Sequence, residues 1–314
     1  MKVNAMELSY PKEEYFHSPH MACPGCSIPL AWRYFLKAMG DEIVLVTPVG
    51  CSSVIASLPD RRLHRQGKPI KLLSIPLGST ATFAGGVKAA FTVRGDTLTQ
   101  VVAFAGDGAT FDIGFQGLSA SAERNEDIIY VCIDNEAYMN TGNQRSSATP
   151  GYVVTATSPH QAPKTENKKD IALILAAHNI PYLCTATIAY PDDFMRKVKK
   201  AKDIKGFRFI HVLCPCTTGW RFATALTVEI SRLAVETGVF PLFEVENGVN
   251  FTINEGPKGV PLGEYLGIQG RYRALTPEQI EQYQKEVEGR CNRLQWMAGY
   301  RSTQRSKRGG AKGR

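Results

Sequence analysis

A hydrophobic run at residues 101–105 ends in Gly106-Asp107-Gly108, and a second, at 129–133, ends in Asp134-Asn135. Glycines after a buried strand let the backbone approach a diphosphate without side-chain collision, and Asp107 then sits at the strand's carboxyl end. A hard cation such as magnesium takes oxygen ligands and keeps contacts to phosphates. The Asp107 carboxylate and the Asn135 amide oxygen are therefore natural protein ligands for it. The spacing is that of a magnesium-bound diphosphate cofactor such as thiamine diphosphate, with 115–123 as the helix that returns the chain to its sheet. Alone, Gly-Asp-Gly reads as a plain turn after a strand; its company makes it informative.

Eight cysteines stand at positions 23, 26, 51, 132, 184, 214, 216 and 291. Cys132 and Cys184 lie in apolar, strand-like runs and read as small buried thiols; Cys291 is alone on a polar helix. The other five fall on turns and strand ends: Cys23-Pro24-Gly25-Cys26, Cys51 after Gly50, and Cys214-Pro215-Cys216. Four thiolates converging there could hold zinc or an iron-sulfur cluster, and spacing alone does not choose between them. A disulfide framework is not expected, because the chain is too large to need one and nothing at its amino terminus reads as a secretory signal.

The run Asp134-Asn135-Glu136-Ala137-Tyr138-Met139-Asn140-Thr141-Gly142-Asn143-Gln144-Arg145-Ser146 continues through Pro150. With Gly106-Asp107-Gly108 it resembles the thiamine-diphosphate-binding subunit of the 2-oxoacid:ferredoxin oxidoreductases, the family of pyruvate:ferredoxin oxidoreductase and oxalate oxidoreductase. The cysteines fit that family's Cys-x-x-Cys, Gly-Cys and Pro-Cys-x-x-Gly-Trp motifs. The resemblance implies one 4Fe-4S cluster on Cys23, Cys26, Cys51 and Cys216, with Cys214, an extra thiol two residues from the last, able to substitute for it as ligand. It implies magnesium on the Asp107 and Asn135 side chains and the Ala137 carbonyl. Gly50, Gly106 and Gly108 would lie beside the cofactor, and Asn140 would point at the reacting centre.

The same resemblance implies partners. The carboxylate that activates thiamine belongs to a second thiamine-fold domain, carried by another subunit, as do coenzyme A contacts and further 4Fe-4S clusters leading to ferredoxin. The chain alone should be inactive, and a cytoplasmic, anaerobic setting is expected. Two departures bear on substrate. Asn143 stands where relatives often carry Gly or an apolar residue, and an amide there could donate to a second carboxylate. Residues 77–81 also lack the bulkier, His-containing sequence expected of pyruvate enzymes. Both favour oxalate, oxidised to two carbon dioxide molecules, with pyruvate or another 2-oxoacid, converted to acyl-CoA, as the alternative. A rival of another class is a zinc-structured module whose basic tail binds nucleic acid.

The elements that must position these residues alternate along the chain. Helices are expected at 29–39, 82–94, 115–123, 170–178 and 192–204, and strands at 43–46, 72–76, 101–105, 129–133, 182–187 and 209–213. That alternation is the pattern of an α/β thiamine-diphosphate-binding fold: a mostly parallel sheet with helices on both faces and ligands at the carboxyl ends of its strands. Residues 1–227 read as the cofactor domain with an amino-terminal arm. Residues 228–314 read as a peripheral extension, including a charged amphipathic helix at 277–297 that could embrace another subunit. With 314 residues, 43% of them hydrophobic, the chain can bury a large core, and no apolar run is long enough to span a membrane. Net charge is +8, and Arg301, Arg305, Lys307, Arg308, Lys312 and Arg314 supply most of it. That tail has no interleaved aromatics to stack on bases, so it is expected to be a disordered or docking extension, with no nucleic-acid partner.

Overall fold

The computed structural model describes residues 10–57 and 62–309, with side chains as far as residue 299. Among these residues ten strands follow one another: β1 (Ile43–Pro48), β2 (His64–Arg65), β3 (Lys68–Pro69), β4 (Lys71–Ile75), β5 (Gln100–Gly106), β6 (Ile129–Asp134), β7 (Tyr182–Thr187), β8 (Arg208–Leu213), β9 (Leu242–Glu246) and β10 (Asn250–Glu255). Eight of them form one sheet in the order β10-β9-β7-β8-β6-β5-β1-β4; β2 and β3 make a separate hairpin. The six strands from β4 to β7 in that order pair in parallel, and β9 runs antiparallel to both of its neighbours. Strands β1, β6, β7 and β8 are buried along their whole length, which explains why they are near-continuous apolar runs rather than alternating ones.

Side chains alternate across this sheet into two cores. Leu45, Val102, Phe104, Val131 and Ile210 pack with the helices Ile28–Met39 and Pro191–Asp203 on one face. Val46, Val101, Ala103, Tyr130 and Phe209 pack on the other with the helices Thr80–Val93, Phe115–Glu123 and Ile171–Ala176. The first helix carries Pro29 in its opening turn and stops at Gly40, whose φ of +84° suits a glycine and whose N–H donates to the Leu36 carbonyl at 2.8 Å. A third core, around Trp220, Ile230, Leu242, Tyr265 and Tyr283, gathers the later helices. No helix among the described residues is long and apolar enough to cross a membrane.

Two expectations change. Residues 242–255 are not peripheral: β9 pairs with β7 and β10 with β9, so the parts before and after residue 228 share one sheet. The helix Pro277–Gly309 directs Tyr283, Val287, Cys291 and Leu294 into the chain's own cores, so this face is already occupied. On the helix Thr80–Val93, Gly85 makes room for the Glu126 side chain, which an added Cβ would strike. The side chains of the basic tail lie outside the described residues.

The strand order also fixes where a ligand goes. β1 and β5 are neighbours, and the chain leaves β1 toward β4 on one side and β5 toward β6 on the other, so a crevice opens beyond the carboxyl ends of β1 and β5. Cys51 follows β1, Asp107 follows β5, Asn135 follows β6 and Cys216 follows β8. Four adjacent strand ends therefore bring the residues singled out by sequence to one edge of the sheet.

Candidate functional site

At this edge Asp107 is 1% exposed, and its Oδ2 accepts a 2.5 Å hydrogen bond from Ser146 Oγ. The Asn135 side chain projects one amide atom 2.8 Å from the Ala137 carbonyl oxygen and 3.0 Å from Asp107 Oδ1. A nitrogen in that position donates to both. An oxygen there stands about 3 Å from each of the other two, which is the edge of an octahedron whose ligands lie about 2.1 Å from a central cation. The donor set therefore fits magnesium, and the charge balance favours it. Burial, and then the nearby negative charge of Asp134, push the Asp107 carboxyl well above its ordinary range, with Ser146 and Lys168 opposing. A bound divalent cation would supply the positive charge that this carboxylate lacks.

Asp134 itself is fully buried yet compensated. Burial would raise its carboxyl, but Lys168 Nζ at 2.6 Å and His211 Nε2 at 2.7 Å hold it down at about 2. Lys168 also pairs with Glu136 Oε1 at 2.8 Å, and Arg271 Nη1 lies 2.6 Å from Glu136 Oε2, a contact that is ionic rather than a well-aligned hydrogen bond. The Arg271 guanidinium lies 3.6 Å from the centre of the Trp220 ring, and Trp220 Nε1 donates to the Asn135 carbonyl at 2.8 Å. Sequence reading missed Ser146, Glu136, Lys168, His211 and Arg271. Ser146 and Glu136 lie inside the run that carried the resemblance, whereas a lysine or arginine in a later loop gives no local signal of burial.

The cysteines line one cavity of about 90 Å³ beside this centre: Cys23, Cys26, Cys51, Cys214 and Cys216, with Asn135 and Asn140 on its wall. The Cys23–Cys26 turn is fastened to the segment after β8 by Ser27 Oγ donating to the Pro215 carbonyl at 3.0 Å and Thr217 Oγ1 to the Pro24 carbonyl at 3.1 Å. Gly25 takes φ +71°, and a Cβ there would lie 2.5 Å from the Thr224 carbonyl oxygen. Burial, helped by the proximity of Cys216 and Cys23, pushes the Cys26 and Cys51 thiols up to about 12. Among the described residues no group of three or more His, Cys, Asp or Glu is gathered tightly enough for a single metal ion, the arrangement a tetrahedral zinc would require. An iron-sulfur cube is wider than one ion, and the thiols on this cavity wall are the residues that could meet one. Cys216 neighbours both Cys26 and Cys51, and its Sγ accepts from Gly219 N at 3.4 Å. Cys214 is completely buried and its thiol interacts with Ser27.

Tyr138 and Gln144 pair as a tight hairpin whose loop contains Asn140 and Asn143. Asn140 is exposed at the cavity. Asn143 has φ +66°, donates its N–H to the Tyr138 carbonyl at 3.0 Å, and lies against Gly219, where an added Cβ would be 3.2 Å from its Oδ1. The left-handed region is where glycine and asparagine are tolerated, so the backbone accounts for the residue type. Gly106 and Gly50 face open space where a Cβ would stand, as a close-approaching ligand needs. Gly108 does not: its Cβ would lie 2.3 Å from the Tyr138 ring, so its smallness serves packing.

Residues 48–212 match the family described as "Thiamine pyrophosphate enzyme, C-terminal TPP binding domain". The chain is 46% identical to pyruvate synthase subunit PorB of Methanocaldococcus jannaschii over 298 residues, covering 91% of this chain and 98% of that one. It is 44% identical to ketoisovalerate oxidoreductase subunit VorB of Pyrococcus furiosus, covering 93% and 96%. Its fold is shared with a 2-oxoglutarate:ferredoxin oxidoreductase from Magnetococcus marinus at 22% identity and a TM-score of 0.56, over 73% of this chain and 82% of the other.

Proposed function

The chain belongs to the thiamine-pyrophosphate enzyme family that includes the PorB and VorB beta subunits of 2-oxoacid:ferredoxin oxidoreductases, and from that premise we propose that it binds thiamine diphosphate and magnesium for the oxidation of a 2-oxoacid to an acyl-CoA and carbon dioxide. The observation that carries the reading is the convergence of the Asn135 amide, the Ala137 carbonyl and Asp107 Oδ1 beside a cysteine-lined cavity. Asp107, Asn135 and Ala137 would hold magnesium, which fixes the diphosphate. Thiamine diphosphate, when bound, supplies the carbon nucleophile and electron sink for decarboxylating a 2-oxoacid. Ser146 orients Asp107 through its hydrogen bond, and Asn140 offers an amide at the cavity wall. Cys23, Cys26, Cys51 and Cys216 would hold a 4Fe-4S cluster able to take up single electrons for ferredoxin.

Two considerations favour a 2-oxoacid over oxalate. Relatives at 44–46% identity are named for pyruvate and ketoisovalerate. One of the two features that favoured oxalate, Asn143, is explained by its left-handed backbone without invoking a substrate carboxylate. The test is reduction of an artificial electron acceptor by the anaerobically purified complex, given pyruvate with coenzyme A, ketoisovalerate with coenzyme A, or oxalate alone. Turnover with either 2-oxoacid, dependent on coenzyme A, is expected. Turnover with oxalate alone would reinstate that substrate and overturn the 2-oxoacid reading.

A further inference from the structure

Glu136 stands between Asn135 and Ala137, the two residues whose groups converge with Asp107, and its backbone is the least expected feature of the site. Its φ is +65°, a region that a residue with a long side chain seldom occupies and that costs conformational energy unless the surroundings impose it. The surroundings impose it here from four directions. Its N–H donates to Asp134 Oδ1 at 2.9 Å, and its carbonyl accepts from Thr149 Oγ1 at 2.6 Å. Its carboxylate, 3% exposed as a side chain, is held between Lys168 Nζ at 2.8 Å and Arg271 Nη1 at 2.6 Å. The residues behind it are fixed in turn, because Arg271 stacks on Trp220 and Trp220 anchors the Asn135 carbonyl.

We propose that Glu136 is a positioning residue: clamped between Lys168 and Arg271, its carboxylate holds the turn in a left-handed conformation that aims the Asn135 side chain and the Ala137 carbonyl at one cation beside Asp107. The physical logic is that of an outer shell. The turn's relaxed conformation differs from the one in which both oxygen donors face Asp107, and the ion pairs make up the difference before any metal arrives. Glutamate contributes by its charge and reach, since Lys168 and Arg271 come from the loop before the helix Ile171–Ala176 and from the segment after β10, and both must find a common acceptor.

This inference rests on the magnesium reading of the site, and the experiment separates the two. The assembled enzyme is stripped of magnesium and thiamine diphosphate with a chelator, and calorimetric titration then measures how thiamine diphosphate binding depends on magnesium concentration, alongside melting of the cofactor-free protein. In wild type, binding should require magnesium, and Asp107→Asn should lose the binding that magnesium supports; wild-type binding indifferent to magnesium would overturn the cation site itself. Glu136→Ala should raise the magnesium needed for half-saturation by about 10–100-fold. Glu136→Gly removes the same carboxylate but adopts positive φ freely, so it should bind magnesium several-fold more tightly than Glu136→Ala. If wild type depends on magnesium while both variants match it, or if alanine and glycine are equally impaired, the positioning role is overturned and the site stands. Should Glu136→Ala not fold, Glu136→Gln preserves the volume, and a magnesium affinity equal to wild type in that variant overturns the proposal as well.

Discussion

At the scale of single residues, the site separates side chains chosen for chemistry from those chosen by backbone geometry. Asn143 belongs to the second kind, because φ +66° admits glycine and asparagine more readily than other residues. Asn143→Gly should therefore leave kcat/KM for a 2-oxoacid within about threefold of wild type. If the amide donated to substrate, its loss would cost considerably more, since unpaired polar groups in a site discriminate strongly; steady-state kinetics with 2-oxoacids and oxalate decide. Cys214 and Cys216 divide the same way. Cys216 neighbours the Cys26 and Cys51 thiols, whereas Cys214, on the same cavity and near Cys26, is completely buried with its thiol engaged by Ser27. Cys216→Ser should lose most of the bound iron and its visible absorption, and Cys214→Ala should keep both. Iron retained in Cys216→Ser and lost in Cys214→Ala would exchange their roles.

At the scale of elements, what could be read from sequence follows how each strand is buried. Strand β7 and the helix Phe115–Glu123 fall at the residues expected, and β6 and β8 within one residue at an end, because a strand covered on both faces is a short apolar run bounded by turn signals. Strand β10, Asn250–Glu255, was illegible for the converse reason: it is a half-exposed edge with polar residues at most positions. The clamp around Glu136 was hidden because Lys168 and Arg271 lie in irregular segments far along the chain, and no periodicity marks a charge as buried. Glu244 on β9 is a similar case with a measurable consequence. Its carboxylate accepts from Tyr182 Oη at 2.7 Å, Arg196 Nη2 at 2.8 Å, Lys200 Nζ at 3.0 Å and Asn254 Nδ2 at 2.9 Å, tying β7, β9, β10 and the helix Pro191–Asp203 together. Burial opposes the charge, yet these partners pull the carboxyl from 4.5 down to about 2. A depressed folded-state value means stability that is present above pH 4.5 and lost as pH falls toward 2, on the order of 3 kcal/mol in full. Glu244→Gln should melt lower than wild type at neutral pH, and the gap should close as pH falls through that window; a gap independent of pH would show that the charge contributes nothing.

At the scale of the whole molecule, the edge of the sheet that gathers the ligands also gathers apolar surface. Met21 and Val54 line the cysteine cavity and are 65% and 41% exposed; Val49, Phe83 and Ile113 stand exposed on segments that follow the carboxyl ends of β1, β4 and β5. Single exposed apolar residues are ordinary, but several around one functional edge mark a surface that is covered in use. The relatives are named as subunits, and a site at the rim of a sheet, with Asn140 exposed on the cavity wall, is open on the side a partner would close. The inward face of the helix Pro277–Gly309 is already occupied by its own cores, so this rim is the better candidate for a subunit contact. Phe83→Asp and Ile113→Asp place charges where the side chains already meet water in the isolated chain, so each variant should melt within about 2 °C of wild type. In the complex the same charges would be stripped of water without a partner, and affinity for the other subunits should fall at least tenfold. Sedimentation of the reconstituted complex measures this directly. Wild-type association in both variants would move the contact elsewhere, and the cavity would then have to be closed by residues on another side.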